Sequence, residues 1–118
     1  MTDVSDQSPQ EAAVHDFISK AVEENPVVLF MKGVPDQPQC GFSALVANVL
    51  DHLGVEYAGV NVLSSDALRT GIKSYSNWPT IPQLYVKGEF VGGSDIIKEM
   101  FQSGELKTLL VEKGVLEA

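Results

Sequence analysis

Five consecutive apolar residues, Val27-Val28-Leu29-Phe30-Met31, limit the fold more than any other stretch of this chain. A strand with one face in water alternates apolar and polar side chains, whereas an unbroken apolar strand needs cover on both faces. The run opens on two β-branched residues, which favour a strand. Asn25-Pro26 stands before it as a stop for any preceding helix. A central strand in a sheet flanked by helices is therefore predicted. The continuation, Lys32-Gly33-Val34-Pro35-Asp36-Gln37-Pro38-Gln39-Cys40-Gly41-Phe42-Ser43, holds the only cysteine of the chain. Phe42, Leu45, Val46, Val49, Leu50 and Leu53 then recur at helical spacing, and Gly54 supplies a C-terminal cap. One thiol stands where a strand ends and a helix begins.

The other elements follow from the same signals. Residues 1–9 read as a flexible polar tail, and residues 10–115 as a single domain. From Gln10, the residues Val14, Phe17, Ile18, Ala21 and Val22 form an apolar helical stripe. His15 and His52 fall on helix faces that read as solvent-exposed. A second strand is expected over Tyr57–Val62. Ser64-Ser65-Asp66 offers N-caps to a helix that buries Leu68, Ile72 and Tyr75 and ends near Ser76-Asn77. Trp78-Pro79-Thr80-Ile81-Pro82 carries two prolines and is not helical. Gln83–Lys87, a Gly88-Glu89 turn and Phe90-Val91 read as a β-hairpin. Ser94-Asp95 then caps a helix with Ile96, Ile97, Met100 and Phe101 inside. Leu106, Leu109 and Leu110 mark a last short helix before Gly114. Together these give an α/β chain with a four-stranded mixed sheet and helices on both faces.

The totals exclude several function classes. At 118 residues the chain suits one domain. One cysteine excludes an internal disulfide, a CxxC redox pair and a self-contained cysteine zinc site. The net charge of −8, with no Lys/Arg cluster, argues against nucleic-acid partners. Apolar runs of five or six residues are far short of the ~20 a membrane span requires. The first residues are acidic and lack an apolar core, so a signal peptide is not expected, and the expected location is the reducing cytoplasm.

Two readings of Cys40 compete. A free cysteine is often a small buried hydrophobe. Placed at the start of a helix after a Pro-rich loop, it instead meets open backbone N–H groups and the positive end of the helix dipole, which favour a thiolate. Lys32 adds a positive charge at the strand end. A Cys–His hydrolase needs its base within hydrogen-bond reach, and His15 and His52 do not qualify on this reading. One thiol cannot form an intramolecular disulfide, so thiol chemistry here calls for a second thiol from a small molecule or another chain.

Cys40-Gly41-Phe42-Ser43, preceded by Lys32-Gly33-Val34-Pro35, resembles the monothiol glutaredoxins of the CGFS type. So do Trp78-Pro79-Thr80-Ile81-Pro82-Gln83-Leu84 and Gly92-Gly93-Ser94-Asp95-Ile96, in the family's order and spacing. The resemblance runs from about Glu11 to Gly114. It implies a thioredoxin-like fold, a bound glutathione and a [2Fe–2S] cluster bridging a homodimer. Such a cluster takes four thiolates, and Cys40 from each of two protomers with two glutathiones completes that number.

The resemblance also implies roles for other residues. Lys32 and Arg69 match basic positions able to pair a glycyl carboxylate; a solvated helix face is the competing reading for Arg69, and Lys73 stays open. Thr80, Ile81 and Pro82 match a segment before a cis-proline, where backbone at Ile81 pairs with an extended peptide. Gly93 allows close approach, Ser94 opens a helix whose N–H groups bind a carboxylate, and Asp95 matches the γ-glutamyl ammonium. Plain capping is the competing reading for Ser94 and Asp95; Trp78 reads as core packing, with a hydrophobic wall near the site as the alternative. Many relatives carry a second cysteine where this chain has Ser94. The implied partners are apoproteins that receive Fe–S clusters and BolA-like proteins. A cluster carrier with at most weak oxidoreductase activity is favoured; the alternative is an enzyme that removes glutathione from mixed disulfides.

Overall fold

The computed structural model describes residues 9–117. Most of the expected tail, residues 1–8, lies outside the described residues. Pro9 opens helix α1 (Pro9–Glu24), one residue earlier than the apolar stripe suggests. Proline fits there because the first helical N–H has no partner within the helix. Then come β1 (Val27–Met31), a small hairpin of β2 (Gly33–Val34) and β3 (Gln37–Pro38), and α2 (Gly41–Leu53). They are followed by β4 (Ala58–Asn61), a 3-10 turn (Val62–Ser64), α3 (Asp66–Ser76), β5 (Gln83–Val86), β6 (Glu89–Gly92), α4 (Ser94–Ser103) and α5 (Glu105–Glu112). Among the described residues no helix is long and apolar enough to cross a membrane.

The main sheet has the order β4-β1-β5-β6, with β1 parallel to β4 and antiparallel to β5. All five β1 residues are buried, as their unbroken apolarity requires. Val27, Leu29 and Met31 pack with residues of α2, α4 and α5 such as Leu50, Ile97 and Leu110. Val28 and Phe30 face the other way, onto Ile18 and Val22 of α1 and Ile72 of α3. This is the mixed sheet with two covered faces that the sequence pattern predicts.

Register decides where the loops emerge. Met31 is opposite Asn61, Phe30 is opposite Gln83, and Leu84 is opposite Gly92. The exits of β1, β4 and β6 and the entrance to β5 therefore share one end of the sheet. Lys32 to Cys40, the start of α3, Thr80–Pro82 and Gly93–Asp95 all gather there.

Four details depart from the sequence reading. Phe17 is 52% exposed, because Ile18 and Val22 take the buried face of α1. His15 is half-buried rather than solvated: its Nε2 lies 2.7 Å from Ser74 Oγ, and its ring meets Tyr75 edge-on. The β5–β6 turn is Lys87-Gly88, one residue earlier than expected. Both residues have positive φ, 52° and 82°, the combination that matches strand twist in a two-residue hairpin. Finally, the loop before Cys40 contains the β2–β3 hairpin, which lies against β4. A Cβ on Gly59 would come within 2.6 Å of Pro35 Cγ and 2.8 Å of Pro35 Cδ. Gly59→Ala is expected to push this rigid ring off the sheet and lower unfolding stability by ~1–3 kcal/mol. Denaturant unfolding measures it, and an unchanged midpoint with an unchanged slope would mean the hairpin is not seated on β4.

Candidate thiol site

The Cys40 loop is tied to the sheet by short hydrogen bonds. Lys32 follows β1, and its carbonyl accepts from Gln39 N–H at 2.8 Å. Its N–H donates to the buried Ser43 Oγ at 3.0 Å. Gly33 N–H donates to Asn61 Oδ1 at 3.0 Å, and the same oxygen accepts from Leu63 N–H at 2.9 Å. The hairpin thus returns the chain to where it left β1, and Cys40 becomes the N-cap of α2, in extended geometry.

This position sets the electrostatics. Cys40 is half-buried and free. Its pKa lies below the ordinary thiol value of 9.0. The Ser43 N–H is the main cause; partial burial opposes it, and the Phe42 N–H, the Lys32 charge and the Ser43 hydroxyl assist. The thiol does not reach conventional cap geometry; these N–H dipoles act on the sulfur without closing a standard capping bond. Two residues after the thiol, Phe42 is 62% exposed, and Val34, opposite Gln37 beside the turn of the β2–β3 hairpin, is 43% exposed.

The second half of the site is built around Gly93. The Ile81–Pro82 peptide bond is cis. Ile81 and Pro82 are buried and Thr80 is exposed. A Cβ on Gly93 would sit 3.3 Å from Pro82 O, 3.4 Å from Trp78 Nε1 and 3.8 Å from Thr80 Oγ1. A side chain here would be tight against the Pro82 carbonyl, and the two loops would have to give by a few tenths of an ångström. Trp78 belongs to the packing of this loop. Its ring packs on Phe90 at 5.7 Å, and its buried Nε1, without a hydrogen-bond partner, lies over Gly93.

Capping by Ser94 or Asp95 is not what the structure has. Gly93 is the N-cap of α4, with no side-chain capping bond. Ser94 and Asp95 are the first two helical residues, so their N–H groups belong to the open first turn. Arg69 stands on the α3 surface, with only an exposed 3.5 Å contact to Asp66, a pair of little energetic weight. Lys73 is exposed one turn further from the gathered end. The structure therefore brings Lys32, Cys40 and Ser43 into one group and Trp78, Thr80, Pro82 and Gly93 into another, with Arg69 and Asp95 at the same end of the sheet.

Two residues at this end were given no site role by the sequence reading. Asn61 clamps the Gly33 loop; an Asn between a strand and a turn is its only signal. Gln83 is fully buried; a polar residue opening an otherwise apolar strand marks it.

With this geometry in view, comparison with known proteins becomes informative. The family model described as Glutaredoxin matches residues 27–91, from the start of β1 into β6. The chain belongs to the glutaredoxin family. It is 52% identical over 100 residues to a probable monothiol glutaredoxin 2 of Rickettsia typhi, covering 85% of this chain and 90% of that one. Reduced apo GrxS14 from poplar superposes with a TM-score of 0.79 at 45% identity, over 90% of this chain and 97% of that one. A buckwheat glutaredoxin solved with glutathione gives 0.82 at 25% identity, over 93% and 98%. The thioredoxin-like fold and the monothiol class are thereby shown for this glutaredoxin.

A lowered thiol pKa has a direct kinetic signature, because the thiolate is the nucleophile. The rate of Cys40 alkylation by iodoacetamide should rise with pH to a midpoint below the ordinary thiol value. Lys32→Gln should move that midpoint up, and Lys32→Arg should leave it in place. A midpoint at the ordinary value in the wild type would remove the claim that the helix start activates this sulfur.

Proposed function

We propose that this glutaredoxin binds glutathione and, as a homodimer, carries a [2Fe–2S] cluster for iron–sulfur assembly and transfer. The observation that carries the reading is the single partly exposed thiol at the head of α2. Among the described residues no group of three or more His, Cys, Asp or Glu side chains is placed to hold a metal ion. One protomer therefore offers one thiolate, a quarter of what the cluster takes. That donor set fits a shared cluster: two copies of Cys40 and two glutathione thiols supply all four. The exposed apolar Phe42, two residues from the thiol, suits cover by a second copy. When bound, the cluster supplies iron and sulfide for delivery.

The residues of this chain would handle the tripeptide. Lys32 and Arg69 pair its glycyl carboxylate. The backbone at Thr80, Ile81 and Pro82 holds the cysteinyl part in extended form. N–H groups at Gly93 and Ser94 receive the γ-glutamyl carboxylate, and Asp95 its ammonium. The glutathione complex of the buckwheat neighbour supports this reading. Apoproteins that accept clusters, and BolA-like proteins, are the proposed partners, in a reducing cytoplasm where free thiols persist.

Anaerobic reconstitution with iron, sulfide and glutathione tests the proposal. A visible cluster band should elute with a dimer, depend on glutathione, and vanish in Cys40→Ser. A colourless monomer that rapidly removes glutathione from mixed disulfides would reverse the ranking in favour of the oxidoreductase, for which the same lowered thiol pKa suffices.

A further inference from the structure

Gln83 is the one fully buried side-chain amide in the described core, with no exposed surface. Its main chain is fixed in the sheet opposite Phe30 of β1. Its side chain points back to the loop before it. Nε2 donates to Trp78 O at 3.2 Å and to Thr80 O at 3.1 Å. Carbonyl oxygens only accept, so the amide's NH2 end must face them. Its Oε1 accepts from Tyr85 O–H at 3.4 Å. The start of the loop is held separately, by Trp78 N–H on Ser76 Oγ at 3.1 Å.

These bonds fix the orientation of the next peptide group. The Thr80–Ile81 bond is trans, the only cis bond described being Ile81–Pro82. In a planar trans peptide the N–H points opposite to the C=O. With Thr80 O drawn towards Gln83, the Ile81 N–H is turned away from it, at the end of the sheet that carries Cys40. That N–H has no hydrogen-bond partner among the described residues. A main-chain donor left without a partner in its own chain is open to one from outside it.

We propose that Gln83 is a positioning residue for ligand binding: its buried amide sets the Thr80–Ile81 peptide so that the Ile81 N–H faces an extended thiol peptide. This rests on the glutathione reading above and adds to it the residue that makes the backbone donor available. A loop carbonyl released from Gln83 is free to turn to water, and the Ile81 N–H turns with it.

The test is a titration of the 15N-labelled chain with reduced glutathione, followed by amide chemical shifts. In the wild type the Ile81 N–H should move downfield and saturate. In Gln83→Leu, and in the unbranched Gln83→Met should the leucine variant fail to fold, affinity should fall about tenfold. The Ile81 shift should largely disappear while the rate of Cys40 alkylation stays unchanged. A general loss of structure would move that rate too. Folded variants that bind like the wild type, with the Ile81 shift intact, overturn the role of Gln83 alone. A wild type that does not bind glutathione overturns the glutathione reading, and the ligand role of Ile81 with it.

Discussion

The pairing of β1 with its two neighbours is the constraint on which the remainder depends. Because β1 is parallel to β4 and antiparallel to β5, one exit, one further exit and one entrance meet at the same end of the sheet. The antiparallel return of β6 adds the last. Side chains far apart in sequence are thus collected by strand direction, before any contact among them forms. Both faces of β1 are buried, and a slip of one residue would exchange Val28 and Phe30 with Val27, Leu29 and Met31. Since both sets are apolar, burial pattern alone would not prevent that slip. Differences of shape do, with Phe30 edge-on to Tyr85 on one side and the aliphatic packing around Leu29 on the other.

Local dipoles, not net charge, govern the thiol. A chain of charge −8 opposes a further anion at long range. Screening confines that opposition to ~8 Å at physiological salt, whereas the Ser43 and Phe42 N–H groups act at contact distance. The same head of α2 is held by Lys32 N–H on Ser43 Oγ, so the residue whose N–H contributes most to the thiolate also anchors the helix to β1. Rigidity and reactivity at Cys40 come from one arrangement.

Periodicity made most of this fold legible. The all-apolar β1, the stripes of α2 and α3, and the double proline before β5 led to the right elements and the right sheet. Legibility failed where a single residue acts across the fold. His15 lies between apolar positions, but only the approach of α3 shows that it meets Ser74. Lys87 takes a positive φ that its residue type does not announce. The capping expected of Ser94 and Asp95 failed because Gly93, held close by Pro82 and Trp78, took the cap position itself. At the site, the motif residues were recognisable as a set, but their supports, Asn61 and Gln83, act through backbone carbonyls and amides. The sequence marks such residues only faintly and does not name the groups they hold.

The division between motif and support bears on how one cysteine suffices. On the proposed function the site borrows its second thiol from a small peptide, and beside the side chains of Lys32, Arg69 and Asp95 it would hold that peptide through main-chain groups. Main-chain donors are useful only if their peptide planes are fixed beforehand, since ordering a residue on binding costs about 1–2 kcal/mol. In this glutaredoxin the plane before Ile81 is fixed by an amide rooted in the central strands, and the close packing of Gly93 on Pro82 and Trp78 fixes the facing loop. The sheet therefore contributes more than a scaffold for Cys40. By immobilising two loops through Gln83 and Gly93, it lowers in advance the ordering cost that the proposed peptide ligand would otherwise meet.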